Sequence, residues 1–180
     1  MERETMEYDV VIVGGGPSGL STAIKFAQLN QENGTDYSIC LLEKGSEIGA
    51  HILSGNVFQT TALDELIPNW KDLNAPLNVP VKKDKLLYLL EKISLPVPAF
   101  IMPTMNNHGN YVISLGNLCR WLAEQAENLG VEIFPGFPAS KLIYENDKVV
   151  GVQTGDMGIG ANGEVKPGNE PGIDIRAKYT

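Results

Sequence analysis

No stretch of this 180-residue chain is long and apolar enough to span a bilayer, since spanning takes about 18 or more consecutive apolar residues. Basic charge is also scarce. Fourteen Lys and Arg stand against 22 Asp and Glu, a net charge of −8. No basic run is present to release counterions from a phosphate backbone, which argues against a nucleic-acid partner. Cysteine is nearly absent: Cys40 and Cys119 form no C-x-x-C pair. That excludes a disulfide framework or a metal site built from cysteine alone, and it points to a reducing compartment. Both thiols lie in apolar contexts suited to plain core packing. The opening MERETMEYD lacks the basic region and apolar core of a signal peptide, and it is too acidic for an organelle transit peptide. The chain is therefore expected to begin inside the cell and not to cross a membrane.

What is plentiful is glycine, and its placement is informative. In DVVIVGGGPSGLSTAIKF, Val10–Val13 reads as a buried strand, and Leu20, Ala23, Ile24 and Ala27 recur at helical spacing after Gly19. Gly14, Gly16 and Gly19 between them fit G-x-G-x-x-G. The first glycine permits the tight turn, the second lets backbone approach a pyrophosphate, and the third brings helix close to strand. Amides at the helix start face the phosphate charge. Pro17 suits an early helical position, where its missing N–H costs nothing. A lone glycine motif is weak, because glycine-rich turns also serve purely structural ends. Here a second strand, Tyr37 to Glu43, ends on an acid 24 residues after Gly19, close to the spacing of about 20 at which a carboxylate reaches the ribose hydroxyls. That acid disfavours a 2′-phosphate, so NADP is the occupant least suited to the site.

The regular pattern loosens between Gly45 and Pro103: a small-residue loop, one or two helical turns in TTALDELIPNW, and strand pieces interrupted by proline. It resumes with GNYVIS as a strand, then a helix on which Leu118, Trp121, Leu122, Gln125, Ala126 and Leu129 share a face and which ends at Gly130. VEIF reads as a third parallel strand. SKLIYEN, a turn at Asp147 and Lys148, VVGVQT, a glycine-rich loop from Gly155 to Gly172, and IDIRAKYT read as a three-stranded antiparallel meander.

That order resembles the α/β FAD-binding Rossmann-like domain of the glutathione reductase class, a parallel sheet plus a β-meander. More specifically, EKGSEIGAHILSGNVF, MPTMNNHGNY, WLAEQAENLGVEIFPG and GVQTGDMGIGANG resemble electron transfer flavoprotein-ubiquinone oxidoreductases, from Tyr8 to Thr180. The resemblance implies an electron-transferring-flavoprotein dehydrogenase, an oxidoreductase with FAD and a 4Fe-4S cluster. Electrons would pass from electron-transfer flavoprotein to ubiquinone at the cytoplasmic side of a bacterial inner membrane, or at the mitochondrial inner membrane. Residues 1–48 and 111–180 would form the dinucleotide-binding core and meander, and 49–110 the inserted flavin and quinone side. Gly14, Gly16, Pro17, Ser18 and Gly19 would hold the FAD pyrophosphate, and Glu43 and Lys44 the adenosine ribose. Gly49, His51, Ser54 and Gly55 would run past the flavin, and Ala139 and Ser140 past the adenine. His108 reads as a turn or hydrogen-bonding residue, and no acid or base catalyst is required.

The family places a membrane-dipping segment near Gly49 to Trp70, where Val57, Leu63, Leu66, Ile67 and Trp70 could form an apolar face. The same side chains could instead pack on the chain's own core. Asp64, Glu65 and Asp72 oppose an anionic lipid surface. The sequence departs from the family in two respects. Ser114 and Leu115 stand where members often carry Arg, and the chain stops at Thr180, before the family's next strand, quinone region and cluster cysteines. An amino-terminal piece with an unpaired sheet edge is therefore expected. Two other readings remain: a flavin-dependent monooxygenase or isoprenoid-lipid reductase of the same fold, and a truncated, non-catalytic fragment.

Overall fold

The computed structural model describes residues 3–102, 105–160, 162 and 164–180. Met1 and Glu2, Pro103 and Thr104 of MPTMNNHGNY, and Ala161 and Gly163 of the glycine-rich stretch lie outside them. In chain order the elements are β1 (Thr5–Val13), α1 (Pro17–Asn33), β2 (Ile39–Glu43), β3 (Asn56–Phe58), α2 (Thr61–Leu66), β4 (Val79–Pro80), β5 (Leu86–Leu89), β6 (Ser94–Val97) and a 3-10 turn (Ala99–Ile101). There follow β7 (Tyr111–Ile113), α3 (Leu115–Asn128), β8 (Glu132–Pro135), β9 (Ala139–Glu145), β10 (Lys148–Thr154), β11 (Met157–Ile159), β12 (Val165–Glu170) and β13 (Asp174–Tyr179). They fall into two compact units: Met1–Ile52 with Cys119–Thr180, and Leu53–Leu118.

The first unit is built on a six-stranded sheet of order β8-β2-β1-β13-β10-β9. The pairs β8–β2, β2–β1 and β1–β13 are parallel; β13–β10 and β10–β9 are antiparallel. This is the α/β arrangement of a parallel Rossmann-like sheet passing into an antiparallel meander. β13 is the junction, with Tyr8 of β1 opposite Ala177 on one side and Gly151 of β10 opposite Arg176 on the other. Only glycine fits at 151: its φ is +148°, and a Cβ there would lie 2.1 Å from the Ile175 carbonyl oxygen.

Helix α1 buries Leu20, Ala23, Ile24 and Ala27, the face its spacing predicts, and ends at Gly34 in the left-handed conformation. Strand β1 begins earlier than the apolar run, at Thr5, because Thr5–Tyr8 pairs with β13. Strand β2 begins later, at Ile39, since the Ser38 amide and hydroxyl are bound by the Asp9 carboxylate. Opposite α1, the sheet packs Val11, Cys40, Leu42, Val152 and Ile175 with Phe134 and Phe137. Each such side chain removed from water contributes roughly 1.5–3 kcal/mol.

Two expectations are corrected. The meander turn lies at Asn146 and Asp147, both at positive φ, which gives the type I′ geometry favoured between twisted strands. The glycine-rich stretch carries a hairpin, β11 against β12. GNYVIS does form a strand, but β7 sits centrally in a small antiparallel sheet of order β3-β7-β4 in the second unit. Local pattern specifies a strand, not its partner.

In the second unit Leu63, Ile67 and Trp70 are buried, so the core alternative holds for those three, while Val57 of the same segment is exposed. The Trp70 indole donates to Asp64 Oδ1 at 2.7 Å, and its ring meets Tyr111 edge-on at 6.0 Å. Hairpin β5–β6 forms a separate two-stranded sheet. Among the described residues no helix is long and apolar enough to cross a membrane.

Candidate cofactor-binding site

The three motif glycines at the turn from β1 into α1 are there for three different physical reasons. Gly14 has φ +107°, a conformation that L side chains rarely adopt. A Cβ on Gly19 would lie 2.0 Å from the Gly14 carbonyl oxygen, so the helix can approach the loop only because that carbon is missing. Gly16 differs from both. Its φ of −84° and ψ of 179° suit any residue, and a Cβ built on it meets nothing within 4 Å. The protein's own packing does not require glycine at 16; the open space beside it is what a side chain would fill. Helix α1 starts here with Pro17 near its N-terminus, no side-chain cap and no acidic residue in its first turn, leaving its amides for an anion.

Glu43, at the end of β2, turns its carboxylate into this turn. Oε2 accepts the Gly15 amide at 2.7 Å, and Oε1 accepts the Gly45 amide at 2.7 Å. Each oxygen keeps a lone pair for a further donor such as a ribose hydroxyl. The Glu43 backbone is fixed as well, its carbonyl accepting Phe137 N–H at 3.0 Å while the Gly45 carbonyl accepts Gly136 N–H at 2.7 Å. Two contributors escaped the sequence reading. Gly15 is crowded as well, because a Cβ there would meet Ile48 Cδ1 at 2.4 Å and Glu43 Oε2 at 3.1 Å. The unbroken run Gly14–Gly16 was the available signal. Ile48, buried beneath the loop, gave none.

A family model for NAD(P)-binding Rossmann-like domains matches residues 12–73, which take in this turn and Glu43. An electron transfer flavoprotein-ubiquinone oxidoreductase of Pseudomonas aeruginosa is 58% identical over 100% of this chain and 33% of that protein. This chain is related along its whole length to the amino-terminal part of the electron transfer flavoprotein-ubiquinone oxidoreductases. The mitochondrial electron transfer flavoprotein-ubiquinone oxidoreductase of Arabidopsis thaliana is 51% identical over 99% of this chain and 28% of that protein. The chain thus spans about a third of the length of the curated relatives it matches. Among solved structures, a geranylgeranyl bacteriochlorophyll reductase-like protein of Thermoplasma acidophilum superposes with a TM-score of 0.67. It is 26% identical, over 96% of this chain and 38% of its own.

The other residues that the oxidoreductase resemblance singles out are distributed as follows. Ser18 and Lys44 are exposed beside the turn. Gly49, at φ +85°, and the exposed His51 lie in the loop after β2, in the first unit. Ser54 and Gly55 belong to the second unit, where the Gly55 amide donates to the Ile113 carbonyl at 3.2 Å. Ala139 packs against the sheet core, and the Ser140 hydroxyl donates to the Gln153 carbonyl at 3.0 Å. Both lie on edge strand β9, whose unpaired side leaves backbone groups free for a ligand. Ser114, in the position where Arg is frequent, accepts the Asn117 amide through its hydroxyl at 3.4 Å and starts α3.

The thiols do not fit a cluster site. Cys40 and Cys119 are both fully buried, and among the described residues no group of three His, Cys, Asp or Glu could hold a metal. Burial pushes the Cys40 thiol up to about 12, helped by the Glu132 carboxylate. Burial also pushes Cys119 up to about 11; Arg120 works against that rise and Glu43 adds to it.

Proposed function

We propose that this chain forms the amino-terminal part of the FAD domain of an enzyme that oxidises reduced electron-transfer flavoprotein and reduces ubiquinone. The observation that carries this reading is the open space at Gly16, which the chain's own packing leaves unfilled, on a turn whose Gly15 amide is held by a carboxylate that retains acceptor capacity. FAD, when bound, supplies the reversible acceptance and release of electrons. The chain's own residues bind and orient. Gly14, Gly16, Pro17, Ser18 and Gly19 offer backbone and helix-start dipole to the pyrophosphate, Glu43 and Lys44 the ribose contacts. Gly49, His51, Ser54 and Gly55 border the flavin, and the backbone at Ala139 and Ser140 borders the adenine. The 4Fe-4S cluster draws no ligand from the residues described above and would be held elsewhere in the enzyme.

The membrane contact of this reading moves from Gly49–Trp70 to hairpin β5–β6 and the turn after it. Tyr88 is 61% exposed, Leu89 72% and Phe100 83%, and Leu87, Leu95, Ile93 and Ile101 are also open. Consecutive residues of a strand point to opposite faces, so Leu87, Tyr88 and Leu89 together make both faces apolar. Such a hairpin is marginal in water and suits the edge of a hydrocarbon layer. This supports a peripheral enzyme at the bacterial inner membrane, or at the mitochondrial one in a eukaryote.

The similarity to the reductase-like protein favours one other reading, an isoprenoid-lipid reductase. The identity of 58% to the oxidoreductase outweighs it. FAD titration separates the remaining possibilities: one equivalent should bind, ADP should compete, and its 2′-phosphorylated form should not. Failure of ADP to compete would overturn the cofactor assignment. In the intact polypeptide carrying this sequence, reduced electron-transfer flavoprotein should bleach the flavin, and added ubiquinone should restore it. Bleaching by a nicotinamide donor instead would favour the reductase.

A further inference from the structure

At the root of the exposed hairpin lies a cavity of about 330 Å³, whose lining includes Lys82, Lys83, Lys85, His108, Met102 and Met105. The three lysines are exposed, and none makes an ion pair among the described residues. The one acid in the wall, Asp84, is already engaged. Its Oδ2 accepts the backbone amide and the side-chain amide of Asn107, each at 3.0 Å, which ties the lysine segment between β4 and β5 to Asn107. Between residues 81 and 102 four lysines face two acids, Asp84 and Glu91, a local charge of +2 in a chain whose net charge is −8. The positive charge is concentrated where the surface is most apolar.

We infer that this basic cradle binds the phosphate headgroup of an anionic phospholipid while the hairpin beside it enters the lipid. The inference rests on the membrane seat proposed above. The geometry sets the depth. Strand β5 has four residues, which at about 3.3 Å each carry its tip roughly 13 Å beyond Lys85. An interfacial element sinks about 5–10 Å into the headgroup boundary. With Leu89, Leu90 and Ile93 sunk that far, Lys82, Lys83 and Lys85 stand at headgroup level. Their ammonium groups meet the phosphate, and Met102 and Met105 meet the first carbons of the lipid chains. The hairpin supplies binding to any bilayer, and the lysines supply the preference for an anionic one. An acidic surface elsewhere would otherwise repel such a membrane.

Co-sedimentation of the protein with vesicles of phosphatidylcholine, alone or mixed with phosphatidylglycerol, tests both layers. The protein should bind phosphatidylcholine weakly and the mixed vesicles more tightly, with the increment lost at high salt. The triple variant Lys82→Gln, Lys83→Gln, Lys85→Gln should keep the phosphatidylcholine binding and lose the anionic increment, about fivefold per lysine. Replacing the three by Arg should restore it. Leu89→Ser with Phe100→Ser should lose both kinds of binding. The headgroup site is overturned if the triple Gln variant retains the increment, or if those lysines govern only the coupling to electron-transfer flavoprotein. Absence of binding to either vesicle, with the hairpin variant indistinguishable from wild type, would instead remove the membrane seat itself.

Discussion

A Cβ atom on Gly19 would stand 2.0 Å from the carbonyl oxygen of Gly14, so the first crossover closes only because the helix lacks a side chain at that point. Two opposing effects can be weighed. Alanine improves intrinsic helix propensity by about 1 kcal/mol over glycine. Forcing a methyl group into backbone costs about 1–3 kcal/mol or more, because neither the carbonyl nor the helix can yield alone. Gly19→Ala should therefore lower the melting temperature and weaken FAD binding together. A raised melting temperature would show that the close approach does not constrain the fold.

Gly16→Ala separates folding from binding. The new methyl meets nothing in the protein and needs no unusual backbone, and the change at the helix cap costs at most about 1 kcal/mol. The same methyl would occupy the space assigned to the pyrophosphate. Isothermal titration should show FAD affinity reduced by tenfold or more at nearly unchanged thermal stability. Equal affinity would mean that the diphosphate does not pass Gly16.

Much of this crossover was legible in the sequence, because its constraints are local. The glycine spacing, the face Leu20, Ala23, Ile24 and Ala27, and the acid ending β2 all lie within about one βαβ unit, where periodicity and turn chemistry are informative. The burial of the segment after it was not legible. Leu63, Ile67 and Trp70 have the spacing of either a core or a lipid-facing helix, and only the Asp64 bond to the Trp70 indole and the ring contact with Tyr111 decide between them. Hairpin β5–β6 was legible only as strand pieces, because without a buried side it has no alternation to fix their pairing. The double role of β13 likewise depends on partners more than 150 residues away in β1.

The thiols give a reporter of unfolding. Cys40 and Cys119 are pushed up to about 12 and about 11, chiefly by burial, against an ordinary thiol value near 8.5. At pH 8 the native protein should resist a disulfide reagent, and urea should release two reactive thiols. Because the folded values are raised, this contribution to stability is fully present below the unfolded value and is lost as pH rises toward 11–12. Replacing both cysteines by Ala should flatten that alkaline loss, and rapid native labelling at pH 8 would contradict the burial.

Asp9 joins three segments of the first unit. It accepts the Ser38 amide at 2.8 Å and the Ser38 hydroxyl at 3.1 Å, and pairs with Lys178 on β13. The Lys178 contact, followed by the Ser38 amide, lowers the Asp9 carboxyl from its ordinary value, and Asp9 in turn raises Lys178. A depressed carboxyl stabilises the fold above its unfolded value, and that contribution disappears as pH falls through the folded value. Asp9→Asn should therefore make stability less sensitive to acid while lowering it at neutral pH. Lys178→Met tests the ion pair alone. The pair is largely open to solvent, so salt should screen its contribution, whereas the Ser38 bonds should persist in high salt. Urea melts of both variants at pH 3 and pH 7, each at low and high salt, distinguish these contributions. If Asp9→Asn loses as much stability at pH 3 as at pH 7, the carboxylate charge is not what ties β1 to β2 and β13.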